Sequence, residues 1–262
     1  MTRFNRIVII PCFLLFCIFS ISCKGTKDKI ISKINTTTNQ EKLDSLPLIP
    51  RHFLEQEKVS NGHCLLRGKG GNKLVALTFD DGPTNLSNKI LNVLKKNSVK
   101  ATFFWLGKNL AENREIISKA KKSGHQIANH SWDHTNGWNL DEQYIWEQQV
   151  AKTIEELKTV AGVQSKYYRP PFGGITQKQI DFLGSKGITT VLWSITTMDW
   201  DKTQNDGIDL ENKFTSYLHP GAIVLMHDYD FGKSEQMLVA LEKMIIYGKS
   251  QGYRFVTVEQ IN

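Results

Sequence analysis

Two pairs of polar side chains in this 262-residue chain have the types and spacing needed to hold a metal ion. Asp80 and Asp81 are adjacent carboxylates before a Gly-Pro turn, and His130 and His134 are imidazoles four residues apart. One aspartate and two histidines form a ligand set that leaves metal positions open for water and substrate. Neighbouring residues of an extended chain point to opposite sides, so the two aspartates are free to serve different partners.

Three more polar residues follow apolar segments later in the chain. Arg169 stands before two prolines, which form a rigid extended segment that aims the guanidinium in a fixed direction. Asp199 and His227 each come after a run rich in Ile, Leu and Val. Because the carboxyl ends of parallel strands share one edge of a sheet, these endings favour a common site.

Short apolar runs alternate with amphipathic stretches from Lys73 onward, which is typical of parallel strands joined by crossover helices. The predicted strands lie near residues 74–79, 101–106, 126–129, 167–169, 188–193, 222–226 and 253–257. The predicted helices span residues 86–97, 112–122, 142–160, 177–186, 210–218 and 235–249. Four of these helices are followed by a glycine that predicts a C-terminal stop, at positions 124, 162, 187 and 252. Thr176 and Gln179 predict a capping box at one helix start.

This alternation predicts the fold class. Seven β/α steps indicate an α/β fold, a distorted (β/α)7-type barrel, in a single catalytic domain over residues 71–262. An open, doubly wound sheet is the alternative topology. In either topology the polar residues described above lie at the carboxyl ends of the strands.

These segments, in this order, resemble the five motifs of the polysaccharide deacetylases, the fourth carbohydrate esterase family. The Thr-Phe-Asp-Asp-Gly-Pro and His-Ser-x-x-His segments are highly specific in combination, and the likeness covers roughly residues 73–261. The resemblance implies a distorted (β/α) barrel, a divalent metal ion and hydrolysis of N-acetyl groups on sugars.

The resemblance also implies roles in proton transfer and metal binding. It makes Asp80 the catalytic base and Arg169 the residue that orients this base. It makes His227 the general acid and Asp199 the residue that tunes this acid. The implied metal ligands are Asp81, His130 and His134.

Residues around the acetyl group are implied in the same way. Trp200 and Leu225 would form the walls of a pocket for the acetyl methyl group, and the main-chain N–H of Phe172 would help to hold the oxyanion. Phe172 replaces a common Tyr, which matters little if only the main chain acts. Thr196 stands where many members have another Asp.

The implied activity is removal of N-acetyl groups from a polysaccharide that contains N-acetylglucosamine, such as peptidoglycan, a chitin-like polymer or an exopolysaccharide, with release of acetate. One divalent metal ion would assist, with Zn²⁺ first and Co²⁺, Ni²⁺ or Fe²⁺ as alternatives. Two other functions remain open. One is an O-acetyl xylan esterase that uses the same metal site, and the other is a non-catalytic module that binds wall polysaccharide.

The N-terminus predicts export. Two arginines precede an uncharged apolar segment from Ile7 to Ser22, which is typical of a signal peptide over residues 1–22. The segment before Cys23 resembles a lipobox, which implies a lipid on Cys23 and a membrane-anchored lipoprotein of the bacterial cell envelope, or otherwise a secreted protein. Residues 23–70 are predicted to be a flexible or lipid-anchored tether and N-terminal extension.

The charge distribution argues against nucleic acid as a partner. The formal net charge is +7, from 33 basic and 26 acidic residues. Residues 71–262 carry 22 basic and 21 acidic residues, so their net charge is only +1. Most of the excess lies before the predicted catalytic domain, so the charge gives little support for a nucleic-acid partner. The partner that the family resemblance implies is an N-acetylated polysaccharide.

Overall fold

Parallel strands and helices alternate along the chain in the computed structural model, which describes residues 49–69 and 72–262. The strands are β1 (Cys64–Leu65), β2 (Leu74–Asp80), β3 (Thr102–Trp105), β4 (Gln126–Asn129), β5 (Tyr167–Tyr168), β6 (Thr189–Val191), β7 (Ile195–Thr196), β8 (Ala222–His227) and β9 (Arg254–Phe255). The α-helices are α1 (Arg51–Val59), α2 (Asn85–Lys96), α3 (Arg114–Lys122), α4 (Glu142–Tyr144), α5 (Lys152–Ala161), α6 (Gln177–Ser185), α7 (Gly207–Tyr217), α8 (Ser234–Ser250) and α9 (Val258–Ile261). A π-helical segment (Ile145–Ala151) joins α4 to α5.

The seven strands predicted from the apolar runs are confirmed as β2 to β6, β8 and β9. The four glycines predicted to end helices have φ between 58° and 80°, a conformation that glycine adopts without steric cost. The capping box is also confirmed, because the Thr176 N–H donates to the Gln179 side chain and the Gln179 N–H donates to the Thr176 hydroxyl. The sequence did not reveal the two-residue strands β1 and β7.

The sheet curls into the predicted distorted barrel. Its strand order is β1-β6-β5-β4-β3-β2-β8-β7, and every pairing is parallel. Only residues 192–194 separate β6 from β7, although these strands stand near opposite ends of this order. The Leu192 N–H donates to the Leu65 carbonyl and the Ser194 N–H to the Ile223 carbonyl, so this bent segment closes the ring. The open, doubly wound alternative is wrong because β2 to β6 follow one another in one direction without a reversal.

Side-chain alternation in β2 decides which residues face the inside of the barrel. Val75, Leu77 and Phe79 pack with the surrounding helices in one buried cluster. Ala76 belongs to the second cluster, which fills the inside of the barrel. Successive side chains of a strand point to opposite faces, so Asp80 shares the inner face with Ala76.

The chain before the barrel contributes structure from Ile49 onward. Helix α1 and strand β1 pack on the barrel, and Phe53 and Cys64 are buried in its inner cluster. Burial raises the pKa of the Cys64 thiol to about 12. The predicted signal peptide, Cys23 and most of the predicted tether lie outside the described residues. Within the described residues, every helix is too short or too polar to cross a membrane.

Candidate active site

The three predicted metal ligands meet at the carboxyl end of the barrel. Asp81 directly follows β2, and both histidines follow β4. Asp81 Oδ1 lies 3.3 Å from His130 Nε2 and 3.1 Å from His134 Nε2. One possible ligand atom from each of the three residues lies within 4.8 Å of the others.

The ligand atoms of these three side chains are suited to binding a cation. His130 Nδ1 lies 2.8 Å from the Arg169 carbonyl, which makes Nδ1 the donor and leaves the lone pair of neutral imidazole on Nε2. A carboxylate and two imidazole lone pairs at this spacing repel one another unless a cation lies among them, so the donor set suits a divalent metal ion.

The backbone that carries these ligands is strained and is held by hydrogen bonds. Asp81, Ser131 and His134 have φ of 79°, 72° and 70°, a region that residues other than glycine adopt only when the surroundings hold them there. Asn129 accepts a hydrogen bond of 2.8 Å from the Ser131 N–H, and the Ser131 hydroxyl accepts one of 3.0 Å from the His134 N–H. The loop after β4 is therefore held through its own polar side chains.

The π-helical segment supports the same loop through hydrogen bonds. Its Gln149 side chain accepts hydrogen bonds from the Trp132 and Asp133 N–H groups at 3.0 and 3.4 Å. Asn129 donates to the Val150 carbonyl at 2.9 Å. A π turn changes which side chains and carbonyls a helix presents to its neighbours, and such turns are frequent at functional sites.

Asp80 lies beside these ligands and is fixed by Arg169. Arg169 Nη1 donates to Asp80 Oδ1 at 2.8 Å and to the Thr78 hydroxyl at 2.7 Å. The guanidinium is fully buried, lies 4.1 Å from the Phe104 ring centroid and also donates to the Val191 carbonyl. The other Asp80 oxygen, Oδ2, lies 3.8 Å from His130 Nε2. Arg169 thus orients one carboxylate oxygen and leaves the second toward the metal ligands.

His227 and Asp199 form the second ionisable pair. His227 ends β8 and is the register partner of Asp80 on the neighbouring strand. His227 Nδ1 lies 2.9 Å from Asp199 Oδ1, and the His227 N–H donates to Asp199 Oδ2 at 2.7 Å. Burial lowers the pKa of His227, but the Asp199 carboxylate, with Asp80 and Asp81, raises it to about 9. The ring is therefore an imidazolium at neutral pH.

One cavity of about 310 Å³ joins these groups. Its wall is formed by Asp80, Asp81, His130, His134, Pro170, Phe172, Trp193, Trp200, Leu225, His227 and Phe231. Eight of these residues were predicted from the sequence. Arg169 and Asp199, the other two predicted residues, lie behind the wall and contact Asp80 and His227. The structure thus brings all ten predicted residues together.

Three of the wall residues, Pro170, Trp193 and Phe231, were missed. Trp193, at the end of a predicted strand, is buried in the inner cluster, and its side chain also forms part of the cavity wall. Phe231 lies in the loop after β8, where its ring stands at 88° to the His227 ring with 5.5 Å between centroids. The Trp132 ring, in the loop after β4, packs against the Lys152 ammonium with 3.9 Å between Nζ and the ring centroid.

Asp228 is a missed residue that holds the site without lining it. Its buried carboxylate accepts hydrogen bonds of 2.5 Å from the Ser87 hydroxyl and 2.7 Å from the Trp105 ring N–H. Burial raises the pKa of Asp228 to about 7. A Cβ at Gly82 would lie 2.2 Å from an Asp228 oxygen, so glycine is required at the turn that follows Asp81. A carboxylate directly after His227 was the sequence signal for this position.

Thr196 supports backbone next to the cavity. Its hydroxyl accepts a hydrogen bond of 3.3 Å from the N–H of Met198, a residue with φ of 60°. This contact helps to fix the turn that leads into Asp199.

Comparisons with known proteins agree with this geometry. Residues 67–191 match the family model described as polysaccharide deacetylase. A peptidoglycan-N-acetylglucosamine deacetylase of Bacillus cereus is 38% identical over 185 residues, which are 70% of this chain and 66% of that protein. The Listeria monocytogenes deacetylase PgdA is 36% identical over 191 residues, which are 72% of this chain and only 39% of that protein.

A solved structure gives the same answer for the fold. The crystal structure of the Bc1960 peptidoglycan N-acetylglucosamine deacetylase superimposes with a TM-score of 0.74 and 34% identity. The superposition covers 78% of this chain and 95% of the solved one. Sequence, fold and the arrangement of the five motifs lead to one conclusion: this chain belongs to the polysaccharide deacetylase family.

Proposed function

We propose that this protein is a metal-dependent hydrolase that removes N-acetyl groups from a polysaccharide containing N-acetylglucosamine and releases acetate. The observation that carries the proposal is the cavity that three metal ligands, the Asp80 carboxylate and the His227 imidazolium share. Hydrolysis of an acetamide needs an activated water, stabilisation of negative charge on oxygen and a proton for the departing nitrogen. Each need has a group in this cavity.

Asp81, His130 and His134 would hold the metal ion. When bound there, a divalent cation supplies Lewis acidity toward the acetyl carbonyl and lowers the pKa of a bound water. Zn²⁺ suits one carboxylate and two imidazoles, and Co²⁺, Ni²⁺ and Fe²⁺ suit the same set.

Asp80 takes the proton of the attacking water. Arg169 occupies Asp80 Oδ1, so Oδ2 is the oxygen that receives the proton. The main-chain N–H of Phe172 stabilises the negative oxygen of the tetrahedral intermediate, and such a donor typically contributes 10²- to 10³-fold in rate.

His227 completes the reaction. Its Nδ1 is engaged by Asp199, so Nε2 gives a proton to the nitrogen as the carbon–nitrogen bond breaks. This transfer lets the sugar leave as an amine, since an amide anion is far too basic a leaving group in water. Trp200 and Leu225, on the same cavity wall, surround the acetyl methyl group.

The substrate class follows from the relatives and from the predicted location. The two curated relatives described above are named for peptidoglycan N-acetylglucosamine, which supports peptidoglycan as the first substrate to test. A signal peptide over residues 1–22 and a lipid on Cys23 would tether the enzyme in the cell envelope, where this polymer lies.

The test is acetate release by the purified protein from peptidoglycan, chitooligosaccharides and acetylxylan. We expect release from the first two substrates, loss of release with a chelator, and recovery when Zn²⁺ is added. Acetate from acetylxylan alone would replace this proposal with an O-acetyl esterase. Zn²⁺ binding without acetate from any substrate would favour the binding module.

The Asp80→Asn variant tests whether Asp80 is the catalytic base. It keeps the size of the side chain and removes the base, so acetate release should fall on the order of 10²- to 10⁴-fold while Zn²⁺ still binds. Unchanged release by Asp80→Asn would remove Asp80 from the role of base.

A further inference from the structure

Phe172 occupies a strained position, and its ring contacts the His134 ring edge-on with 4.6 Å between centroids. Its φ is 60°, and 68% of the side chain surface is exposed. A left-handed backbone at a residue other than glycine persists only where the surroundings hold it. The residues next to Phe172 in the loop over residues 170–175 add to this support through their own contacts.

Helix α1 contacts this loop at two residues that follow Phe172. The buried Phe53 ring fills the space beneath Gly173, where a Cβ would lie 2.4 Å from a Phe53 ring carbon. The buried Gln56 side chain donates a hydrogen bond of 2.6 Å to the Ile175 carbonyl. Phe53 also packs edge-on against Trp193 of the cavity wall, with ring centroids 5.1 Å apart. The loop and the wall beside it thus rest on one helix.

Helix α1 is itself fixed to the barrel. Glu57 pairs with Arg67 at 3.0 Å and accepts a hydrogen bond from the Leu66 N–H. The Ser60 hydroxyl accepts a hydrogen bond of 3.1 Å from the Cys64 N–H. Strand β1 then pairs with β6, whose last residue, Val191, gives a carbonyl to the Arg169 guanidinium. These contacts make α1 a rigid support.

We propose that α1 positions the oxyanion side of the active site, with Phe53 and Gln56 as positioning residues that keep the Phe172 N–H in place. The helix precedes residues 67–191, the part that matches the family model. Its effect on turnover rests on the proposed deacetylase function, whereas its effect on the loop does not.

The first test measures the loop directly. Gln56→Met keeps length and helix propensity but removes the donor to Ile175. Hydrogen–deuterium exchange followed by mass spectrometry should show faster exchange in the peptide that covers residues 170–176. Gln126→Met is the matched control, because Gln126 accepts hydrogen bonds from Thr102 and Glu259 at the amino end of the barrel, away from the cavity. Exchange at 170–176 that stays at the wild-type rate in Gln56→Met overturns the proposal.

The second test separates positioning from general destabilisation. Gln56→Met should lower kcat on chitooligosaccharides by about tenfold, because a displaced oxyanion donor weakens only the transition state, while KM stays within about twofold. Gln126→Met should keep kcat within about twofold. Faster exchange with unchanged kcat in Gln56→Met overturns the positioning role. A wild-type protein without acetate release refutes the proposed function, and the exchange measurement still decides whether α1 holds the loop.

Phe53→Leu is a second variant with the same expected direction. It opens space beneath Gly173 and beside Trp193 at moderate cost to the core. Its melting temperature and Zn²⁺ stoichiometry give the folded fraction, to which kcat is normalised. A normalised kcat equal to that of the wild type overturns the role of Phe53.

Discussion

Histidines at the two ends of the barrel are in opposite electrostatic states. At the carboxyl end, His227 contacts the Asp199 carboxylate, and its pKa is raised to about 9. At the amino end, His125 packs edge-on against Phe103 and accepts a hydrogen bond from the Ala101 N–H. Burial, with the nearby Lys100 ammonium, lowers the pKa of His125 to about 4.

The difference lies in the partners that each end supplies. Polar loops follow the carboxyl ends of parallel strands, and here they bring carboxylates and imidazoles together. The amino end offers His125 a backbone donor and an aromatic ring, so this histidine stays neutral and serves packing. A buried histidine thus indicates chemistry only when an ionised partner accompanies it.

The largest expected difference between the two ends is in metal affinity. His134→Gln removes one of the three proposed ligands and should weaken Zn²⁺ binding by about 10²-fold or more, since even loss of a residue behind a ligand costs 10- to 100-fold. His125→Gln should leave the Kd unchanged. Isothermal titration of both variants with Zn²⁺ makes the comparison. Equal affinities would show that the site lies elsewhere.

A smaller effect is expected from the partner of the acid. Asp199→Asn removes the carboxylate that raises the pKa of His227, so kcat should fall by about 10- to 100-fold. The His227 proton should also be lost at lower pH, which moves the alkaline limb of the pH–rate profile toward neutral pH. Kinetics between pH 6 and 10 measure both effects. An alkaline limb that stays in place would refute the pairing.

The pH dependence of stability should have opposite signs at the two ends. When a chelator is present, the contribution of His227 to the free energy of unfolding is complete below the unfolded pKa of about 6.5. It is lost as pH rises through the folded pKa of about 9. The stability from His125 is present above about 6.5 and is lost as pH falls through about 4. Each contribution is on the order of 3 kcal/mol.

Urea unfolding measures these contributions. In His125→Gln the free energy of unfolding should fall less steeply at acid pH than in the wild type. In His227→Gln it should fall less steeply at alkaline pH. The same acid-side slope in His125→Gln and wild type would mean that this imidazole is protonated in the folded protein.

The smallest effect is expected at Phe172. Phe172→Tyr adds a hydroxyl to a largely exposed ring and leaves the main chain in place, so kcat/KM should change by less than about twofold. Acetate release at several substrate concentrations measures it. A tenfold change would show that the side chain, and not only the main-chain N–H, contacts the substrate.

Local patterns were enough to predict seven strands, the capping box at Thr176 and the polar residues at the strand ends, whereas Phe172, Trp200 and Leu225 were implied by the family resemblance. Apolar periodicity and polar residues at strand ends can be recognised from short segments of the sequence. The sequence missed β7, Phe231 and the position of Trp193 at the cavity wall. These features depend on contacts across the sheet, for which a local pattern carries no signal.

The amino-acid sequence by itself determined the candidate ligands and ionisable groups, because residue types, their spacing and their place after apolar runs are local properties. Only the tertiary structure decided how these residues meet. The bend between β6 and β7 closes the ring, Arg169 reaches Asp80 across the barrel interior, and α1 lies beneath the loop of Phe172. Each of these contacts joins segments distant in sequence, and it forms only because burying both apolar clusters fixes the strand order and the helix positions.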